Sequence, residues 1–124
     1  MSDGEVRLVG TLGADPELKF TATGKALCSV RIAVGHRYKS RDSDEWIEKT
    51  TWLEATAWDS LAENIAQSLS KGNRVVGFGR LDMDEWEDKE TGAKRSKITM
   101  QIDSLGPDLR WATCEVARTE RTRA

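Results

Sequence analysis

Of the 124 residues, 6% are aromatic, an ordinary share, so any chemistry these rings do depends on where they stand. The stretch Thr50-Thr51-Trp52-Leu53-Glu54-Ala55-Thr56-Ala57-Trp58 reads as a strand with two unlike faces. Leu53, Ala55 and Ala57 suit a core. Trp52, Glu54, Thr56 and Trp58 face the other way and suit a half-wet surface. Two tryptophans on such a face make either an interface or a stacking platform. Tyr38 stands between Arg37 and Lys39, Trp46 stands among charges, and Trp86 is flanked by Glu85 and Glu87. A flat exposed ring takes the π-face of any nucleobase without reading its identity, and each stacked base is worth about 1–3 kcal/mol. Cations beside the ring would then follow the phosphates. Tyr38 with Arg37, Lys39 and Arg41 fits that composition best, and Lys19, Arg31, Lys71, Arg74 and Arg80 could extend the path. The competing reading, core or subunit-interface aromatics, weighs equally for Trp58 and Trp111 and less for Tyr38 and Trp86.

Other chemistries find little support. The chain has no GxSxG, P-loop or HExxH motif, so an enzyme is not expected. One histidine, His36, and two distant cysteines, Cys28 and Cys114, argue against a metal site, and no cofactor is expected. The cysteines read as free thiols, with an inter-subunit disulfide as the minor alternative. The net charge of −2 does not announce a polyanion binder, but the charge is unevenly spread. Residues 36–41 and 118–123 are basic and residues 82–90 acidic. No apolar run reaches transmembrane length and no signal-peptide pattern opens the chain, which argues for the cytoplasm.

The elements that would hold these rings follow from periodicity. Glu5 to Leu12 reads as a strand, with Gly10 and Gly13 marking close approach or a bend. Leu18-Lys19-Phe20 is a short extended piece. Ala26 to Gly35 alternates cleanly, with Ala26, Cys28, Val30, Ile32 and Val34 on one face. Residues 37–47 read as a charged loop or mobile hairpin end. A helix follows the third strand, opened by a Ser60/Glu63 capping box or by Asp59. Leu61, Ile65 and Leu69 form its stripe, and Lys71-Gly72 its end. Arg74 to Asp84 is a fourth strand, with Val75, Gly77, Gly79, Leu81 and Met83 on one face. Trp86 to Gly92 is a hairpin tip. Lys94 to Asp103 is a fifth strand, with Ile98, Met100 and Ile102 inward, broken by Leu105-Gly106-Pro107. Residues 109–116 read as an extra strand before a polar, disordered tail. Three strands, one helix and two strands is the order of the all-β OB-fold, a five-stranded Greek-key barrel with its helix between strands three and four. The division expected is an OB-fold domain over residues 1–107 and a C-terminal extension over 108–124.

Leu8-Val9-Gly10-Thr11-Leu12-Gly13-Ala14-Asp15-Pro16-Glu17 is similar to the N-terminal signature of bacterial single-stranded DNA-binding proteins. Ser60-Leu61-Ala62-Glu63, Lys71-Gly72, Gly79-Arg80-Leu81 and Trp86-Glu87-Asp88 continue the resemblance in order, over roughly residues 5–106. Gly106-Pro107 through Leu109-Arg110-Trp111-Ala112-Thr113 looks like the actinobacterial branch, where an added C-terminal strand clamps neighbouring subunits. The resemblance implies an OB-fold homotetramer that wraps single-stranded DNA in replication, recombination and repair, with stacking aromatics at Tyr38, Trp52, Trp58 and Trp86. Tyr38 and Trp58 differ in type from the commonest versions but stay aromatic. Where relatives often carry cations, this chain has Glu54, Ser60, Asp82 and Asp84, which implies weaker binding or a shorter footprint. The acidic, hydrophobic tip that recruits other proteins is not seen, as in a specialised paralogue or a shortened chain. Two other readings compete. One is an OB-fold assembly or interaction protein of primosome type with weak nucleic-acid binding. The other is a cold-shock-type RNA module, for which the aromatic motif is missing.

Overall fold

The computed structural model describes residues 4–120. Six strands and one helix follow in the order β1 (Glu5–Leu12), β2 (Glu17–Phe20), β3 (Ala26–Lys39), β4 (Trp46–Trp58), α1 (Asp59–Ser68), β5 (Arg74–Glu87) and β6 (Lys94–Pro107). They form one sheet in the order β1-β5-β6-β4-β3-β2, and an added β1–β3 pairing closes it. The β4–β6 contact is parallel and the others antiparallel. β1, β3, β4, β5 and β6 make the expected five-stranded barrel with its single helix between the third and fourth barrel strands.

The alternation expected for the second strand is what fills the core. Cys28, Val30 and Ile32 of β3 meet Ala55 and Ala57 of β4, Leu12 of β1, Val75 of β5 and Met100 of β6. Full burial of a side chain such as Leu12 or Ile32 contributes about 1.5–3 kcal/mol. The Cys28 thiol is free, and burial pushes its pKa up. α1 lays Ala62 and Ile65 against this core, and Leu69, just past its last residue, continues the stripe.

Several expectations are corrected. Of the two readings for residues 37–47, a hairpin end is what forms: β3 and β4 stay in register from Leu27↔Trp58 to Lys39↔Trp46, and Ser40–Glu45 is the turn. The strands run further into this segment than its charge suggested, since a two-stranded arm beyond the barrel wets both faces and needs no apolar alternation. β5 and β6 likewise run on past the barrel, to Glu87 and from Lys94, and β6 continues through Leu105-Gly106 to Pro107. Leu81, Met83 and Ile98 keep the inward alternation but lie on this second arm and are exposed. The capping box does not form. Trp58 takes the N-cap without a side-chain bond, and Asp59 turns the chain into the helix at φ 59°. The helix ends at Ser68 with Leu69 as C-cap, and Gly72 (φ 90°) serves the turn into β5 instead. The extra strand of the sheet is β2, whereas residues 109–116 form no ladder within this chain. The tail expectation falls partly on residues 121–124, outside the described residues.

The barrel closes tightly at β5–β6. A side chain at Gly79 would overlap the Gln101 carbonyl, so only glycine permits the approach. A bulge lies beside it, with Phe78 opposite Ser104 and Gly79 opposite Ile102.

Candidate nucleic-acid interface

Strand alternation assigns most of the candidate side chains to the outer face of the sheet. On β4 that face carries Trp46, Glu48, Thr50, Trp52, Glu54, Thr56 and Trp58, and on β3 it carries Arg31, Arg37 and Lys39. On β5 it carries Arg80, Asp82, Asp84 and Trp86, opposite Gln101, Thr99, Lys97 and Arg95 of β6. Two side-chain contacts join the halves into one surface. Trp58 Nε1 donates to Gln101 Oε1 at 3.1 Å, and Lys97 Nζ meets Glu54 at 2.5 Å. Beside the Lys97–Glu54 contact lies a groove of about 420 Å³ lined in part by Arg31, Glu54, Asp84, Lys97 and Thr99. The Thr99 hydroxyl is buried and has no hydrogen-bond partner among the described residues.

Trp52 is the best-formed platform. It is 52% exposed, and the Arg31 guanidinium stands 4.5 Å from its ring centroid. The attraction between a cation and a ring face is about 0.5–1 kcal/mol at exposed sites. Gly13 supports the ring from the β1 side, where any Cβ would overlap it. A charged guanidinium therefore lies against a ring held in place from the protein side. Trp58 and Trp86 are also exposed. Lys19 of β2 falls in the row of Trp58, through Lys19↔Leu27 and Leu27↔Trp58.

Not every candidate joins this face. Tyr38 is exposed but pairs with Ile47 on the opposite alternation of the arm, away from Arg37 and Lys39. The basic cluster read around Tyr38 is thus split between two faces, because neighbours in a strand point apart. Arg74 is committed elsewhere, bonding Asp108 at 3.0 Å with its guanidinium 4.9 Å from the Trp111 ring. Lys71 sits in the turn after α1, where its backbone N–H donates to Asp15. Arg80 pairs with Asp103 at 3.3 Å, Lys19 with Glu17 at 3.7 Å and Lys39 with Asp44 at 3.6 Å. These are exposed pairs, worth little and free to exchange partners. Arg41 lies exposed in the arm's turn.

Sequence reasoning missed Lys97, Arg95 and Gln101. The signal was present, since they alternate with Ile98, Met100 and Ile102 and so belong on the outside. It also counted Glu54 as a carboxylate standing where relatives often carry a cation, and Lys97 pairs with it across the β4–β6 seam.

The single-strand binding protein family matches residues 4–107. Curated relatives include the single-stranded DNA-binding protein of Paenarthrobacter aurescens, 44% identical over 117 residues, covering 94% of this chain and 68% of the relative. That of Mycolicibacterium smegmatis is 39% identical over 121 residues, covering 97% and 73%. Among solved structures, a Plasmodium falciparum SSB complex with ssDNA superposes with a TM-score of 0.78 at 21% identity, covering 86% of this chain and 96% of that one. The superposition independently supports the OB-fold.

Proposed function

The chain belongs to the single-strand binding protein family, and from that premise we propose that it binds single-stranded DNA without reading sequence, protecting it in replication, recombination and repair. Bases stack on Trp52, Trp58 and Trp86, with Tyr38 serving the far side of the β3–β4 arm. Arg31, Arg37, Lys39, Lys19, Arg41 and Arg80 hold the phosphates. Arg74 is paired with Asp108 and would have to exchange that carboxylate for a phosphate, and Lys71 would extend the path from the turn after α1. The observation that carries the reading is the Arg31–Trp52 pair on an exposed face continuous with Trp58 and Trp86. A base gains the Trp52 face as the Arg31 guanidinium moves from the ring to a phosphate, and no turnover is involved. The family match and the relatives' names support this function over an interaction protein of primosome type.

The protein acts as a homotetramer in this reading. Val9, Val76 and Phe78 form an exposed apolar patch on the outer face of β1 and β5, of the kind that partners cover. Residues 109–116 find their strand pairing in a neighbouring subunit. Competition binding with labelled oligo-dT tests the function. Unlabelled single strands of any sequence are expected to displace the probe and duplex DNA to leave it bound. Equal competition by duplex would overturn the proposal.

A further inference from the structure

We propose that Trp46, with Arg37, is a further stacking station for single-stranded DNA, near the tip of the β3–β4 arm, built to the same plan as Trp52 with Arg31. The inference rests on the binding function above and extends its path. Arg31 is in register with Glu54, and its guanidinium covers the ring two residues before that Glu, Trp52, at 4.5 Å. Arg37 is in register with Glu48, and its guanidinium lies 5.6 Å from the ring two residues before that Glu, Trp46. The diagonal Arg–Glu–Trp arrangement therefore occurs twice. The copies are six residues apart on both strands, which preserves the face because six is a multiple of the strand period. Trp46, Trp52 and Trp58 consequently form a line on β4 at steps of roughly 20 Å at the usual rise.

Trp46 is 60% exposed, more open than Trp52, and lies outside the barrel's core cluster. Arg37 also reaches Glu48 at 3.7 Å, but both side chains are well exposed, so a phosphate can replace that carboxylate. Lys39, directly opposite Trp46 in register, supplies a second cation at the same station. A strand that has passed Trp58 and Trp52 would next meet a ring flanked by two cations, lengthening the footprint along the arm.

The test compares Trp46→Ala, Trp46→Phe and Trp52→Ala with the unaltered protein, using oligo-dT of graded length. Trp46→Ala should weaken binding of long oligomers about 5- to 150-fold, the range for one stacked base. It should leave the shortest bound oligomers unaffected and keep the melting temperature. Trp46→Phe, which retains a ring, should restore most of the loss. If Trp46→Ala binds every length like the unaltered protein while Trp52→Ala is impaired, this inference fails and the binding function stands. If the unaltered protein binds no oligomer, the binding function itself fails.

Discussion

At the scale of single residues, cations here are shared among rings, carboxylates and prospective phosphates. Glu54 shows this best. Its contact with Lys97 removes one cation from the groove while cancelling a repulsive carboxylate. Replacing Glu54 with Gln frees the ammonium for a phosphate. Expected is tighter binding and a salt dependence steeper by about 0.7 in log–log slope for one added contact to a single strand. Titrations at several salt concentrations measure it, and an unchanged slope would show that Lys97 never reaches the backbone. Asp84 lies opposite Lys97 in register, and Asp82 Oδ1 accepts the Met83 N–H at 2.9 Å. Neither contact cancels a carboxylate beyond the Glu54 pairing, so binding weaker than in a more basic relative, with a shallower salt dependence, is the expected outcome.

At the scale of elements, what was legible in the sequence was whatever the barrel core enforces. Ala26 to Val34 and Leu53 to Ala57 alternate because one face must be dry, and the helix stripe at Leu61, Ile65 and Leu69 is visible for the same reason. The arms were not legible. Beyond the barrel, residues such as His36, Lys49 and Glu85 are wet on either face, so strand pairing continues without a hydrophobic signature. The helix start was misread because the fold spends its N-cap on Trp58, which sends its Nε1–H to Gln101 and has no oxygen to cap with. Among the candidate residues, Trp52, Trp58, Trp86 and Arg31 could be chosen by type and neighbours. Splitting Tyr38 from Arg37 required knowing that the pairing continues in register. The glycines at the closure were readable as bends, and Gly79 allows a quantitative check. Gly79→Ala forces a methyl against the Gln101 carbonyl at the bulge. Overpacking of this kind costs about 1–3 kcal/mol. Urea denaturation should give a lower midpoint at unchanged slope, and a wild-type midpoint would mean the strands separate there without cost.

At the scale of the whole molecule, the apolar surface the chain leaves exposed includes patches around Phe78 on the outer face of β1 and β5 and around Met83 on the β5–β6 arm. Large exposed patches mark surfaces that another chain covers. Native mass spectrometry is expected to give the mass of four 13.8 kDa chains, and Phe78→Asp to shift it to smaller species. A single-chain mass for the unaltered protein would remove the tetramer. Wrapping would then be achieved by four copies of one aromatic face, so everything depends on whether that face stacks bases. Tryptophan fluorescence during titration with oligo-dT at low salt reads this most directly. Expected is strong quenching in the unaltered protein, with Trp52→Ala binding about 5- to 150-fold more weakly at an unchanged oligomer mass. An unquenched spectrum, or a Trp52→Ala variant that binds as tightly as the original, would contradict it.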